Sequence, residues 1–454
     1  PGEDEVLVRV HAASICGTDL HIHDWNEWAE SRIRRVPMTF GHELAGTVET
    51  VGDEVHHIKP GAFVAAETHI ACGYCATCRT GRAHICQNLR ILGVDTDGAF
   101  AEFVVIPAEN AWVVGFPAES GTFTSGGTVS NTTALAAARE RALPRSRVTG
   151  LSGHRVAVYC SREVHYSITR AVELLGIGSE NLRALPTDEQ RRLRPEALAR
   201  AIEDDVAAGI TPIAVVASAG TTLTGAIDPL DDLADVCEPR GVWLHVDGAY
   251  GLPAAGVASM REAFRGLERA DSVSVDAHKW LYLPKACGVM LVRRGRDLED
   301  VFAHQEGYLP HQKHELHAVD ITLEYSRPFR ALKFWLAFRA HGAPAFRAAI
   351  ERNLAEARLL YDEIGRYEDL EALAPPQLSI VPFRHVPDGV ADVNAHNVAL
   401  AEALESDGRV YLASALIDGE VYLRPCFVNF RTTEEDVLAL VDIVREVGSR
   451  LARA

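Results

Sequence analysis

The hydrophobic period of this chain changes once, and the change divides what the two parts can fold into. Through the first 113 residues, short runs such as EVLVRV, ELAGTVETVG and AEFVVIP are separated by Gly, Pro and Asp. Helical periodicity is almost absent there, so this part is predicted to be a compact all-β unit. From about residue 121 the apolar strands RVAVYC, IAVVASAG, GVWLHVD and GVMLVRR alternate with the amphipathic stretches SITRAVELLGI and PLDDLADVC. That alternation predicts a largely parallel sheet covered by helices. After about residue 345 a long helical stretch, PAFRAAIERNLAEARLLYDEIG, leads into further strands and a closing helix, which predicts a smaller α/β domain. The expected organisation is therefore 1–113, 114–345 and 346–454. No Ser/Gly-rich linker marks the seam at Trp112–Pro117, so any tether there is very short.

Charge and cysteine placement narrow the classes. A net charge of −18 argues against a general polyphosphate-binding surface, so nucleic acid is not an expected partner. No run of about 18 apolar residues is present, so no membrane partner is expected either. Pro1–Val10 carries three acids and no apolar signal core. The chain does not begin with Met, and it is expected to start inside a longer reading frame. Five of the nine cysteines fall within the first 90 residues, while Cys160, Cys237, Cys287 and Cys426 stand singly in apolar stretches. Clustered cysteines read as metal ligands and isolated ones as small core residues, which fits a reducing, cytoplasmic compartment.

Cys72, Cys75, Cys78 and Cys86 form C-x2-C-x2-C-x7-C in a Gly-containing loop. Four thiolates at such spacing wrap one zinc ion tetrahedrally with no further ligand. A second set combines Cys16 with His42 and Glu43, in CGTD and GHE, and would suit a zinc with an open position. Together with ICGTDLHIHDWNEWAE, GHELAGTVETVG and GVDTDGAFAEFVVIPAENAW, these residues resemble the GroES-like domain of zinc-dependent medium-chain dehydrogenases. The resemblance covers residues 1 to about 112 and stops before the NAD-binding Rossmann domain that follows in that family. Gly150-Leu-Ser-Gly153 does not replace it, because a strand rather than a helix comes next.

The second part places four chemical features in order. Lys279 follows a strand in SVDAHKW, where its amine reaches a crevice; alone it would read as a surface lysine, but His278 and Trp280 flank it. Asp247 ends the strand Trp243–Asp247 and reads either as an acid facing a ring nitrogen or as a turn aspartate. Ser125-Gly-Gly-Thr128 opens a helix, which favours a phosphate or serves only as a cap. His165 follows another strand and either stacks on a ring or is structural. An amine, an acid, a phosphate cradle and a ring-facing group are what pyridoxal phosphate (PLP) requires.

In this order the stretches GTFTSGGTVSNTTALAAAR, SREVHYSITRA, WLHVDGAYG, DSVSVDAHKWLYLPKACGVMLVRR and RPFRALKFWLAFRAHG resemble the PLP-dependent group II amino-acid decarboxylases, from about residue 115 to 454. The resemblance implies an α/β fold with an aspartate-aminotransferase-type large domain and a small C-terminal domain, here preceded by the partial GroES-like unit. It implies Lys279 as the Schiff-base lysine, Asp247 on the ring nitrogen, His165 on the ring face, and Gly127 and Thr128 at the phosphate. Thr222, Ala249, Asp276 and His278 would line the site. The implied reaction turns an L-amino acid into an amine and CO2 in a homodimer.

Two features depart from that family. The amino-terminal arm that completes the family's substrate pocket is replaced by the zinc segment. The loop Leu309–Leu323, where family members carry a proton-donating Tyr, has neither Tyr nor Phe; Tyr308, His311, His314 and His317 are the nearby substitutes, or the histidines form a solvated face. Two other readings stand beside decarboxylation: a zinc- and NAD-dependent dehydrogenase, and a non-catalytic chimera of two enzyme fragments.

Overall fold

Burial alternates along Glu5–Ser14, with Val6 and Val8 fully buried between more exposed neighbours, as expected of a strand with one face on a core. The computed structural model describes residues 1–113, 116–304 and 317–453. They fall into two units, Pro1–Pro117 and Ala118–Ala454. The second unit holds both the expected large and small α/β parts.

The first unit has strands β1 (Glu5–Ser14), β2 (Glu43–Val51), β3 (Phe63–Ala66), β4 (His69–Ile70), β5 (Arg90–Ile91), β6 (Phe103–Pro107) and β7 (Ala111–Val113). Five of them form an antiparallel sheet in the order β6-β1-β2-β3-β7, and β4 pairs with β5. Val6, Val8, Val48, Val64, Val104 and Ile106 supply its core. Short helices at Gly17–His23 and Glu27–Arg32 interrupt the expected all-β pattern. At seven and six residues they are too brief to show a helical period in sequence. Their starts are set by the side chains of Cys16 and Asn26, which accept backbone N–H groups.

The second unit is built on β8 (Ser120–Thr124), β9 (Val156–Ser161), β10 (Leu182–Leu185), β11 (Thr211–Ser218), β12 (Trp243–Asp247), β13 (Ser272–Asp276) and β14 (Gly288–Val292). Their order is β10-β9-β11-β12-β13-β14-β8, and only β14 runs against its neighbours. Strands β9 and β12 are buried along their whole length, as a parallel sheet covered on both faces requires. The helix Gly127–Ala142 lies over this sheet with Ala134, Leu135, Ala136, Ala137 and Ala138 all buried. Small side chains allow it close approach to the strands.

A four-stranded antiparallel sheet follows, formed by β15 (Leu370–Ala372), β16 (Phe383–His385), β17 (Ser414–Ile417) and β18 (Glu420–Leu423) in the order β15-β16-β18-β17. Helices Val393–Asp407 and Glu434–Ala452 pack with it around Leu360, Phe383, Leu400, Leu423 and Val444. Helical residues span Arg330–Ile364, but Gly342 (φ 75°) divides them into two helices. Pro344 lies in the first turn of the second, where its missing N–H has no helical acceptor to lose, so the long helix expected from Pro344 does begin there, preceded by a separate helix from Arg330.

Leu135 is fully buried in the core of the large sheet. Leu135→Ala is expected to destabilise the second unit by about 2–5 kcal/mol, seen as a lower urea midpoint in its unfolding transition.

Candidate active site

Parallel pairing places the carboxyl ends of β11, β12 and β13 side by side: Ser218 is opposite Asp247, and Asp247 is opposite Ser274. The loops leaving that edge, together with the start of helix Gly127–Ala142, enclose a space of ≈ 500 Å³, part of it open to solvent. Gly127, Thr128, His165, Thr222, Asp247, Ala249, Asp276 and Lys279 all line it. His278, the remaining expected member, lies just behind, with Nε2 3.7 Å from Asp276 Oδ2 and Nδ1 accepting the Cys287 N–H at 3.1 Å.

Lys279 leaves the turn after β13, where its N–H donates to the carbonyl of Asp276. Its Nζ is 3.4 Å from Asp276 Oδ2, and its side chain is 41% exposed toward the opening. The other oxygen, Asp276 Oδ1, is buried without a hydrogen-bond partner. Such an acceptor is costly unless a ligand or water supplies a donor.

Asp247 faces donors only. Oδ1 accepts from the Ala249 N–H at 3.1 Å and the Ser274 hydroxyl at 3.2 Å, and Oδ2 accepts from Asn131 Nδ2 at 2.8 Å. His245, directly behind, is completely enclosed, and burial pushes its pKa down to about 4 against the pull of Asp247. His165 is also held below its ordinary value, first by burial and then by Lys279 and Arg170, with Asp247 and Asp276 opposing. It is bound through Nδ1 to Ser167 Oγ at 2.9 Å.

The start of helix Gly127–Ala142 has no side-chain cap, so its leading N–H groups and positive dipole end are directed at the cavity. A Cβ at Gly127 would stand 3.1 Å from Ala249 Cβ and 3.3 Å from Asp276 Oδ2. Glycine therefore lets the helix start, the β12 loop and the β13 loop meet. Sequence reasoning missed Asn131, Ser167, Ser274 and Tyr250 here. Asn131 is one helical turn from Gly127, and Ser274 is two strand positions from Asp276, and those spacings were the available signals. Of the loop residues considered for proton transfer, Tyr308, His311 and His314 lie outside the described residues; His317 is described and does not line the cavity.

An amine, a buried acid bonded only by donors, an imidazole, an uncapped helix start and an unpartnered buried oxygen together fit PLP. The conserved domain of the pyridoxal-dependent decarboxylases matches residues 98–386. The chain belongs to the pyridoxal-dependent decarboxylase family. It is 34% identical over 366 residues to an aromatic-L-amino-acid decarboxylase of Bacillus atrophaeus, covering 78% of this chain and 75% of that one. An acidic amino acid decarboxylase of Bos taurus is 33% identical over 353 residues, covering 74% and 68%. The crystal structure of Catharanthus roseus tryptophan decarboxylase with L-tryptophan is similar at a TM-score of 0.67 and 30% identity, covering 73% of this chain and 70% of that one. The family is one of carboxy-lyases that use PLP.

Residues 2–117 match the alcohol dehydrogenase GroES-like domain. Over 112 residues they are 60% identical to L-threonine 3-dehydrogenase of Caldanaerobacter subterraneus subsp. tengcongensis, covering 25% of this chain and 32% of the dehydrogenase. The thiols of Cys72, Cys75, Cys78 and Cys86 lie within 4.8 Å of one another. Cys75 Sγ is 3.4 Å from Cys78 Sγ and 3.9 Å from Cys86 Sγ, separations that four thiolates around one zinc require. Backbone N–H groups of Cys72 and Asn88 point at Cys86 Sγ and would stabilise its thiolate.

The second expected metal group is brought together only in part. Cys16 Sγ is 3.1 Å from His42 Nε2, and the acid beside them is Asp19, whose Oδ1 is 3.5 Å from His42 Nδ1. Glu43 stands apart: it is exposed at the start of β2 and accepts a hydrogen bond from Ser14, its cross-strand partner.

Removing one thiolate tests the closed cluster. Cys75→Ser is expected to lose zinc that the wild-type protein retains through dialysis, as measured by elemental analysis.

Asp228 anchors the loop that carries Thr221 and Thr222, accepting the N–H groups of Leu193 at 2.6 Å and Ser218 at 2.7 Å. Burial pushes its carboxyl up to about 6 despite those two donors, above the value of about 3.9 in an unfolded chain. The folded protein thus binds the extra proton between these values. The contribution is full below about 3.9 and is lost as pH rises through about 6. Relative to Asp228→Asn, wild-type stability should fall across that window, as read from denaturation midpoints at successive pH values.

Proposed function

We propose that this chain decarboxylates an L-amino acid with PLP attached to Lys279. The observation that carries the reading is the meeting of Lys279, Asp247, His165 and the Gly127 helix start at one sheet edge. When bound, PLP supplies an aldehyde that bonds to amines and a ring that takes up electrons as a bond at Cα breaks.

The chain's own residues have separable tasks. Lys279 supplies the amine that secures the cofactor, and Asp276 keeps it near the opening. The lone pairs of Asp247 not used by Ala249, Ser274 and Asn131 would hold a proton on the ring nitrogen. His165 would cover one ring face, and the N–H groups at Gly127 and Thr128 would receive the phosphate. Thr222 and Ala249 form the wall between these contacts. These residues address the α-amino-acid part common to the aromatic and acidic substrates named for the relatives. The family resemblance supports a homodimer, and the free thiols support an intracellular, cytoplasmic setting. No helix among the described residues is long and apolar enough to cross a membrane.

A zinc- and NAD-dependent dehydrogenase is the weaker reading. The similarity spans 32% of the dehydrogenase, and the residues after Pro117 match the decarboxylases instead.

Borohydride reduction of the PLP-loaded protein followed by peptide mapping tests the site. The expected result is a single modified lysine, Lys279, and none in Lys279→Ala. PLP spread over other lysines, or an unchanged Lys279→Ala protein, would overturn the assignment. Asp247→Ala should lower kcat/KM for CO2 release by on the order of 10²-fold or more, the scale of removing one preorganised electrostatic partner.

A further inference from the structure

The groups around Asn131 fix the direction of its amide. Its Nδ2 lies 2.8 Å from Asp247 Oδ2 and 3.0 Å from Ser167 Oγ. A carboxylate only accepts, so the NH2 end of the amide faces it. The amide oxygen then faces His245 Nε2 at 3.0 Å and Ser274 Oγ at 3.0 Å, whose one proton is shared between this oxygen and Asp247 Oδ1 at 3.2 Å. That oxygen also only accepts, so His245 carries its proton on Nε2. Its Nδ1 is 2.8 Å from Ser272 Oγ, and Ser272 already accepts the Trp243 indole N–H at 2.8 Å. The Ser272 hydroxyl proton therefore points to His245 Nδ1.

The same logic runs the other way. Ser167 Oγ accepts from Asn131 and lies 2.9 Å from His165 Nδ1. Because the Ser167 backbone N–H also points at that nitrogen, at 3.2 Å, Nδ1 is an acceptor and the Ser167 hydroxyl proton turns to it. With two donors on Nδ1, no proton is left room there. His165 is neutral, with its proton on Nε2; this tautomer is assigned from the network. Asn131, Ser167, Ser272 and Ser274 are at most 1% exposed and His245 is wholly buried, so water does not scramble these directions.

We propose that Asn131 is the positioning residue joining the two ring contacts: it holds Asp247 as an ionised acceptor and, through Ser167, His165 as the neutral Nε2–H form, while His245 fixes the direction of its amide. This rests on the proposed contacts of Asp247 and His165 with PLP. Asp247, held as an acceptor, would keep a proton on the ring nitrogen, and a neutral His165 would cover the ring without placing a second cation near Lys279. His165 is faced by Asp247, Asp276, Lys279 and Arg170, and His245 by Asp247, so every variant is read against wild type.

The experiment uses the full chain as wild type, Asn131→Asp, His245→Gln and His245→Leu, each checked for a cooperative melt. Nitrogen NMR of ¹⁵N-histidine-labelled, PLP-free protein, with His165 assigned by signal loss in His165→Gln, should show the neutral Nε2–H form. Asn131→Asp replaces a donor by an acceptor and should raise the His165 titration by roughly one pH unit, the scale of one charge-assisted hydrogen bond. With PLP added, the pH titration of the Lys279-linked absorbance should shift by a similar amount in Asn131→Asp and His245→Leu. His245→Gln, whose amide N–H stands in for Nε2–H, should restore the wild-type curve. An Nδ1–H form of His165 in wild type overturns the proposal. So do folded variants that carry PLP on Lys279 with unchanged titrations. If the tautomer is as assigned but PLP never reaches Lys279, the network stands and the cofactor reading falls. Should Asn131→Asp fail to fold, the contrast between His245→Gln and His245→Leu decides alone.

Discussion

The second unit depends on one row of parallel pairing, Ser218 beside Asp247 beside Ser274. Register is what makes the site, because a slip of one residue would turn every side chain of the moved strand to the other face. In the observed register Asp247 and Ser274 are neighbours on one face, and Asn131 descends on them from the helix above. The helix is fixed in turn by its own small buried side chains. Chemistry at this edge therefore rests on the apolar core beneath it: shifting the helix by a fraction of an ångström would change the Asn131 contacts before it exposed any new surface.

That dependence accounts for what was legible in sequence. Lys279 and Asp247 could be read because each ends an apolar run, and a strand end is where a parallel sheet exposes its chemistry. Gly127 could be read because its position opens a helix. The Cys72–Cys86 cluster was legible because its ligands are close in sequence and need no long-range register. Asn131, His245 and Ser274 were not, since a polar residue within an apolar run acquires its meaning from a strand or helix more than 100 residues away. Glu43 misled for a related reason: it follows His42 directly in sequence, but its side chain pairs with Ser14 across β1–β2, and the acid that meets the imidazole is Asp19. In the C-terminal part, the helix from Pro344 was legible because proline suits a first helical turn, and Gly342 with positive φ separates it from the helix before it.

The two units also differ in how a bound group would stabilise them. Four clustered thiols repel one another as thiolates, and a metal converts that cost into a crosslink, so zinc would organise the loop around Cys72–Cys86. The large sheet instead has a core that is complete in itself, with β9 and β12 fully buried. Its cavity offers a bound group specific atoms to meet, among them Asp276 Oδ1.

The polar groups behind the cavity sharpen that contrast. A buried hydrogen-bond network stabilises little on average, and half-satisfied it is worse than an apolar core. Here the members from Trp243 to His165 are satisfied in a single direction. A packing role alone would be served by apolar residues of similar volume at lower desolvation cost. What apolar residues cannot supply is a defined protonation state at both ends of the chain, at the carboxylate of Asp247 and at the imidazole of His165. The polar network is thus accounted for by the electrostatics of the cavity it backs rather than by the stability of the sheet it lies in.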